Sequence, residues 1–211
     1  GPVRLLLRAR HGSAGRGRGR RLLQRLALVA GGSRHEAGRA RARRPLDRPR
    51  RTALEALRDI DRGDAYANLA CSRVLDEQRI TGRDAAFVTE LVAGTCRLRG
   101  TYDAIIESAS GRGLKTMQPA VVDLLRLLAH QALSMTVPAR AAVATTVELA
   151  RDTVGQRVTG LINAVGRRIT AHAFREWVEL LSVGLDENGR LAVATHHPRW
   201  IVAAYEKVLP E

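Results

Sequence analysis

Along most of this chain apolar residues recur three and four positions apart, the spacing that places them on one face of a helix. Between Arg50 and about Asp61, residues Ala53, Leu54, Leu57 and Ile60 share such a face. Pro45 and Pro49 bracket its entry, and Gly63-Asp64 punctuates its end. A second helix is predicted from about Ala67 to Arg79 (Leu69, Ala70, Val74, Leu75), closed by Thr81-Gly82. A third, Arg83 to Leu98, carries Phe87, Val88, Leu91 and Val92, and Gly100 separates it from a short fourth through Tyr102, Ile105 and Ile106. After the loop Ser110 to Thr116, Pro119 stands where a helix begins. This fifth helix carries Val122, Leu124, Leu125, Leu128, Ala129 and Ala132. Pro138 opens a sixth (Val143, Val147, Leu149, Ala150), and the seventh runs from about Gln156 to Thr170 on Val158, Leu161, Ile162, Val165 and Ile169. Leu191-Ala192-Val193 is the one stretch expected as a short strand. The body is therefore expected to be all-α, a bundle of about seven helices over residues 46–170, with residues 171–211 as a linker segment. With seven aromatic residues in the chain, Leu, Val, Ile and Ala must fill the core, which suits close helix packing.

Residues 1–45 lack any sustained apolar period and are rich in Arg, Gly and Ala, with Gly15-Arg16-Gly17-Arg18-Gly19 at their centre; they are expected to form a disordered arm. Charge sharpens the division. Fifteen of the 33 arginines fall in the first fifty residues, which carry a net charge of +13, whereas residues 51–211 are nearly balanced at +1. An arginine-rich arm on a neutral body suits a polyanion, because guanidinium forks pair with phosphate and counterion release supplies affinity.

Other chemistry is excluded residue by residue. Cys71 and Cys96 form no metal or disulfide pattern and are expected to be reduced thiols of a cytoplasmic protein. No apolar run reaches the roughly 18 residues that a membrane span needs. Arg20-Arg21 precedes an apolar stretch in the manner of a secretion signal, but Arg25 interrupts it. The loop Gly111 to Thr116 ends in Lys-Thr, yet Leu114 stands where a phosphate-binding loop requires glycine. His130 has no second ligand at helical spacing, and the adjacent His196 and His197 point apart. The carboxylates are expected at helix caps and on solvated faces. No catalytic residue and no metal site is expected.

Three stretches together carry a resemblance. They are Gly82-Arg83-Asp84-Ala85-Ala86-Phe87-Val88-Thr89-Glu90-Leu91-Val92-Ala93-Gly94-Thr95-Cys96-Arg97, the run from Leu124 to Ala150 through Val137-Pro138-Ala139-Arg140, and Gly160-Leu161-Ile162-Asn163-Ala164-Val165-Gly166-Arg167-Arg168-Ile169. Their order and spacing resemble the NusB-type helical domain. With Asp64-Ala65-Tyr66-Ala67-Asn68-Leu69 they look most like the N-terminal domain of bacterial 16S ribosomal RNA cytosine-5 methyltransferases of the RsmB (Sun/Fmu) family. The segment Thr195-His196-His197-Pro198-Arg199-Trp200 resembles the passage by which those enzymes lead toward their catalytic half, with Trp200 expected as a packing anchor. Arg140 replaces a usual histidine. Gly166 replaces a usual leucine, so that helix is expected to be looser.

The resemblance implies a noncatalytic RNA-binding domain for small-subunit rRNA. The S-adenosylmethionine cofactor and the catalytic domain would belong to sequence beyond Glu211, so this chain is not expected to be active alone. It implies Arg43, Arg44, Arg48, Arg50 and Arg51 as the leading RNA contacts and Arg167 and Arg168 as secondary ones. The alternative is a stand-alone NusB-like antitermination factor that binds RNA and a ribosomal protein.

Overall fold

The computed structural model describes residues 47–63 and 66–208. The arm expected over residues 1–45, with Arg43 and Arg44, lies outside the described residues. The described residues form ten α-helices and two short 3-10 turns, with no strand among them. The helices are α1 (Arg48–Gly63), α2 (Ala67–Glu77), α3 (Gly82–Arg97), α4 (Arg99–Ser110), α5 (Pro119–Leu133), α6 (Ala139–Thr153), α7 (Thr159–Ile169), α8 (Phe174–Ser182), α9 (Glu187–Thr195) and α10 (Arg199–Val208). The first seven match the apolar periods to within a few residues, and an all-α class is what the structure has.

Local chemistry sets the boundaries. Asp47 starts α1 by accepting the Arg50 amide at 3.2 Å. Pro119 occupies the first turn of α5, where a missing amide hydrogen costs nothing, and Gly111 ends α4 in the left-handed region at φ 66°. The centre of the bundle is α5, buried without a break from Val121 to Gln131. A helix apolar on all sides belongs inside, and α1, α3, α4, α6 and α7 pack around it.

Two glycines set how closely these helices approach. A Cβ on Gly94 would lie 2.1 Å from Cε1 of His130, so α3 rests directly on that ring. A Cβ on Gly166 would lie 2.7 Å from Cδ1 of Leu128 and 3.4 Å from Cγ2 of Val143. Gly166 therefore sits where α5, α6 and α7 come close together, its missing side chain making room for Leu128.

Within the stretch expected as a linker, residues 174–208 form three further helices against the bundle. Trp177 is 5% exposed and its indole N–H donates to the Ile169 carbonyl at 2.8 Å. The Phe174 ring lies 6.1 Å from that of Tyr102 and 5.1 Å from that of His196, and His196 Nδ1 is 3.2 Å from the Thr101 hydroxyl. The strand expected at Leu191-Ala192-Val193 is instead the middle of α9. The Asp186 carboxylate accepts the Gly189 amide at 2.8 Å and commits the segment to a helix, with Ala192 turned inward. Trp200 is not an anchor either: it is 71% exposed, and Val202 is the residue that α10 buries.

Candidate nucleic-acid interface

The arginines at the start of α1 divide into two kinds. The Arg50 guanidinium is consumed inside the fold. It pairs with Asp47 at 2.5 Å, its Nε donates to Gln131 Oε1 at 2.5 Å, and its plane lies 4.9 Å from the Phe87 ring centre. Its side chain is 16% exposed, so Arg50 joins α1, α3 and α5. Arg48 and Arg51 are exposed. Arg48 donates one N–H to the Gln78 carbonyl, and Arg51 reaches Glu55 at 3.2 Å across one helical turn, a surface pair of small energy.

Arg167 and Arg168 sit elsewhere, on the last turn of α7. Arg167 is exposed, and its guanidinium has no hydrogen bond or ion pair among the described residues. Arg168 donates to the Ala109 carbonyl at 3.0 Å, closing the C-terminal end of α4. The fold therefore groups Arg48, Arg50 and Arg51 but does not join them directly to Arg167 and Arg168.

Two cations that no pattern in the sequence singles out lie on the turn that Arg48 touches. Its bond to Gln78 brings it against the turn from α2 to α3, where Arg79 and Arg83 are both exposed. In sequence the two arginines bracket Ile80-Thr81-Gly82, and nothing there shows that this turn meets the start of α1.

A buried cluster of charge is equally silent in the sequence. Arg126 pairs with Asp103 through Nε and Nη2 at 2.6 and 2.9 Å and with Asp123 at 3.0 Å. Arg99 grips Asp61 at 2.6 and 3.0 Å, and Asp61 lies 3.8 Å from Arg126. Burial pushes the Asp123 carboxyl above the usual range, with the Asp61 charge adding to it and Arg126 opposing. A cavity of about 10 Å³ beneath this cluster, lined also by Leu57, Thr95 and Cys96, has room for at most one water. Burial likewise raises both the Cys71 and the Cys96 thiols, which disfavours the thiolate a nucleophile needs.

His130 completes the interior polar chemistry. Its Nδ1 meets the Tyr102 hydroxyl at 2.8 Å, and that hydroxyl reaches Ser134 at 2.7 Å. Its Nε2 is 3.5 Å from Glu90. Burial lowers the imidazole pKa, and burial pushes the Tyr102 phenol up to about 12.

The family model described as the NusB family matches residues 47–171. This chain belongs to the NusB family. A protein of Mycobacterium tuberculosis (strain ATCC 25618 / H37Rv), whose name assigns it only to the methyltransferases, is 45% identical over 169 residues, which cover 79% of this chain and 37% of that protein. The ribosomal RNA small subunit methyltransferase B of Pseudomonas putida is 32% identical over 163 residues, 77% of this chain and 35% of that enzyme. The crystal structure of PH0851 superposes with a TM-score of 0.61 at 14% identity, over 77% of this chain and 36% of that one, a likeness of fold. This NusB-family chain thus spans about a third of the length of these two curated relatives. No helix among its described residues is long and apolar enough to cross a membrane.

Proposed function

We propose that this chain is the RNA-holding, noncatalytic part of a cytoplasmic small-subunit rRNA (cytosine-5)-methyltransferase that uses S-adenosylmethionine. The observation that carries this reading is the length of the similarity. The mycobacterial relative aligns over 169 residues, more than the stretch taken up by the NusB match at 47–171. A stand-alone antitermination factor accounts for the NusB match but not for likeness of that length to methyltransferases.

In this reading phosphates of the small-subunit rRNA pair with Arg43, Arg44, Arg48 and Arg51, while Arg50 holds the start of α1 in place for them. Arg167, whose guanidinium has no partner among the described residues, is a secondary contact, and Arg168 chiefly closes α4. These contacts fix register, and recognition of sequence falls to RNA shape and to the catalytic part. The cavity of about 10 Å³ under Arg126 is too small for S-adenosylmethionine, and in this reading the cofactor and every chemical step belong to the remainder of the methyltransferase.

The test is a titration of the chain with a small-subunit rRNA transcript over a series of salt concentrations. Replacing Arg43, Arg44, Arg48 and Arg51 by alanine is expected to weaken binding to all RNAs. The salt slope should flatten by about 0.7 for each single-strand phosphate that is no longer neutralised. An unchanged slope would overturn the assignment. Intact mass of the protein in its own cell tests the wider claim: a polypeptide no longer than this chain, co-purifying with a ribosomal protein, would favour antitermination.

A further inference from the structure

Two non-glycine residues among those described have left-handed backbones, Arg79 at φ 51° and His196 at φ 59°. Both follow the last turn of a helix, the position where glycine is preferred because it has no Cβ to clash. At α2 the geometry is a full Schellman closure, with the Ile80 amide donating to the Leu75 carbonyl at 3.0 Å and the Arg79 amide to Asp76 at 3.0 Å. His196 has an internal reason to be there, since its ring meets Thr101 and Phe174. Arg79 has none: its guanidinium is exposed and makes no hydrogen bond or ion pair among the described residues. A side chain held where glycine would be easier, yet used by nothing in the fold, points to a ligand outside it.

The surroundings say what kind of ligand. The guanidinium of Arg48 bonds the carbonyl of Gln78, one peptide before Arg79. Arg83 stands one turn before Phe87, and the Arg50 contact to that ring aligns the starts of α1 and α3. Arg48 is thus joined to the peptide that precedes Arg79, and Arg83 follows four positions later on the first turn of α3. Of the nearby acids, Glu55 pairs with Arg51 and accepts from Gln78, Glu77 pairs with Arg73 and Asp47 with Arg50; Asp84 faces the helix dipole on the first turn of α3, and Asp76 is exposed on the last turn of α2. We propose that Arg79, with Arg48 and Arg83, forms a corner that grips the sugar-phosphate backbone of an RNA strand. This rests on the RNA-binding reading above and extends its contact surface from α1 to the turn between α2 and α3.

Arg79→Gly makes the test sharp, because it removes the charge while relieving the backbone. The full chain and its variants are titrated with a short fluorescein-labelled single-stranded RNA at several salt concentrations, and their melting temperatures are compared. Arg79→Gly is expected to melt at or above the wild-type temperature and yet to bind more weakly, with a salt slope shallower by about 0.7; adding Arg83→Ala lowers the slope by a similar step. Arg79→Lys, which keeps the charge, restores most of the slope, and Arg175→Ala on α8 leaves it unchanged. Salt-sensitive RNA binding by the wild type with the same slope in Arg79→Gly/Arg83→Ala overturns the corner alone. No salt-sensitive binding by the wild type overturns the RNA reading as well. Binding of polyglutamate in place of RNA, abolished in Arg79→Gly, would replace RNA by an acidic protein.

Discussion

Gly94 and Gly166 are both closed to a larger side chain, but their neighbours differ in how far they can yield. At Gly94 a methyl group meets an imidazole ring that is 3% exposed and pinned by Tyr102. Gly94→Ala should therefore lose about 2–3 kcal/mol in urea unfolding, in the range of overpacked cores. At Gly166 the obstacle is the tip of Leu128, which has rotamers to spend, and alanine gains about 1 kcal/mol in helix propensity. Gly166→Ala should come out near neutral in the same measurement. His130 adds a dependence on pH. Its folded pKa is lowered, chiefly by burial, from an ordinary 6.5, so the unfolded chain takes up the proton first. The stabilisation is full above 6.5 and is lost as pH falls below it. Melting temperature should decline between about pH 7 and pH 5, and His130→Gln should flatten that decline. His196, lowered by burial as well, leaves part of it in place.

Helices α8 to α10 are too short and too lightly buried to leave a clear apolar period. The first seven helices were legible because each repeats its apolar positions over several turns. The last three have nine or ten residues each and one or two deeply buried ones, so the period barely registers. Trp177 and Trp200 look equivalent in sequence, and only packing separates them. Trp177→Ala should cost about 3–5 kcal/mol and expose residues 174–208 to proteolysis. Trp200→Ala should stay within about 0.5 kcal/mol of wild type. Acrylamide quenching checks the difference without unfolding anything, since Trp200 should be quenched and Trp177 protected. Asp186 caps α9, and the strand-like triplet that follows it in sequence hides that start. The candidate site was half legible for a related reason. Basic residues at the start of α1 are plain in sequence, but Arg50 turns inward because of Phe87 and Gln131, which lie 37 and 81 positions away.

At the scale of the whole molecule, the Arg126 cluster ties α1, α4 and α5 together with charges that each read as solvated helix faces. Their convergence is a property of topology, which no local pattern carries. Replacing Arg126 by alanine leaves Asp123 buried without its partner and should destabilise the chain by about 3–5 kcal/mol. Asp103→Asn, whose amide still accepts from Arg126, should cost less, and urea midpoints at neutral pH would rank the two. Salt response separates this cluster from the surface cations: high salt should weaken RNA binding far more than it weakens the fold.

Trp177 links the end of α7 to α8, and His196 links the end of α9 back to α4. These two clamps remove the hinge that a change from bundle to linker would have supplied near residue 170. A pull at the arginines of α1 would therefore be passed through packed helices as far as α9, and α10, 150 positions after α1, follows through its packing on α9. Anything fused behind Val208 would inherit a bearing as well as a tether, and lengthening the loop at Ala171–Ala173 should make that bearing wander while leaving the grip on RNA intact.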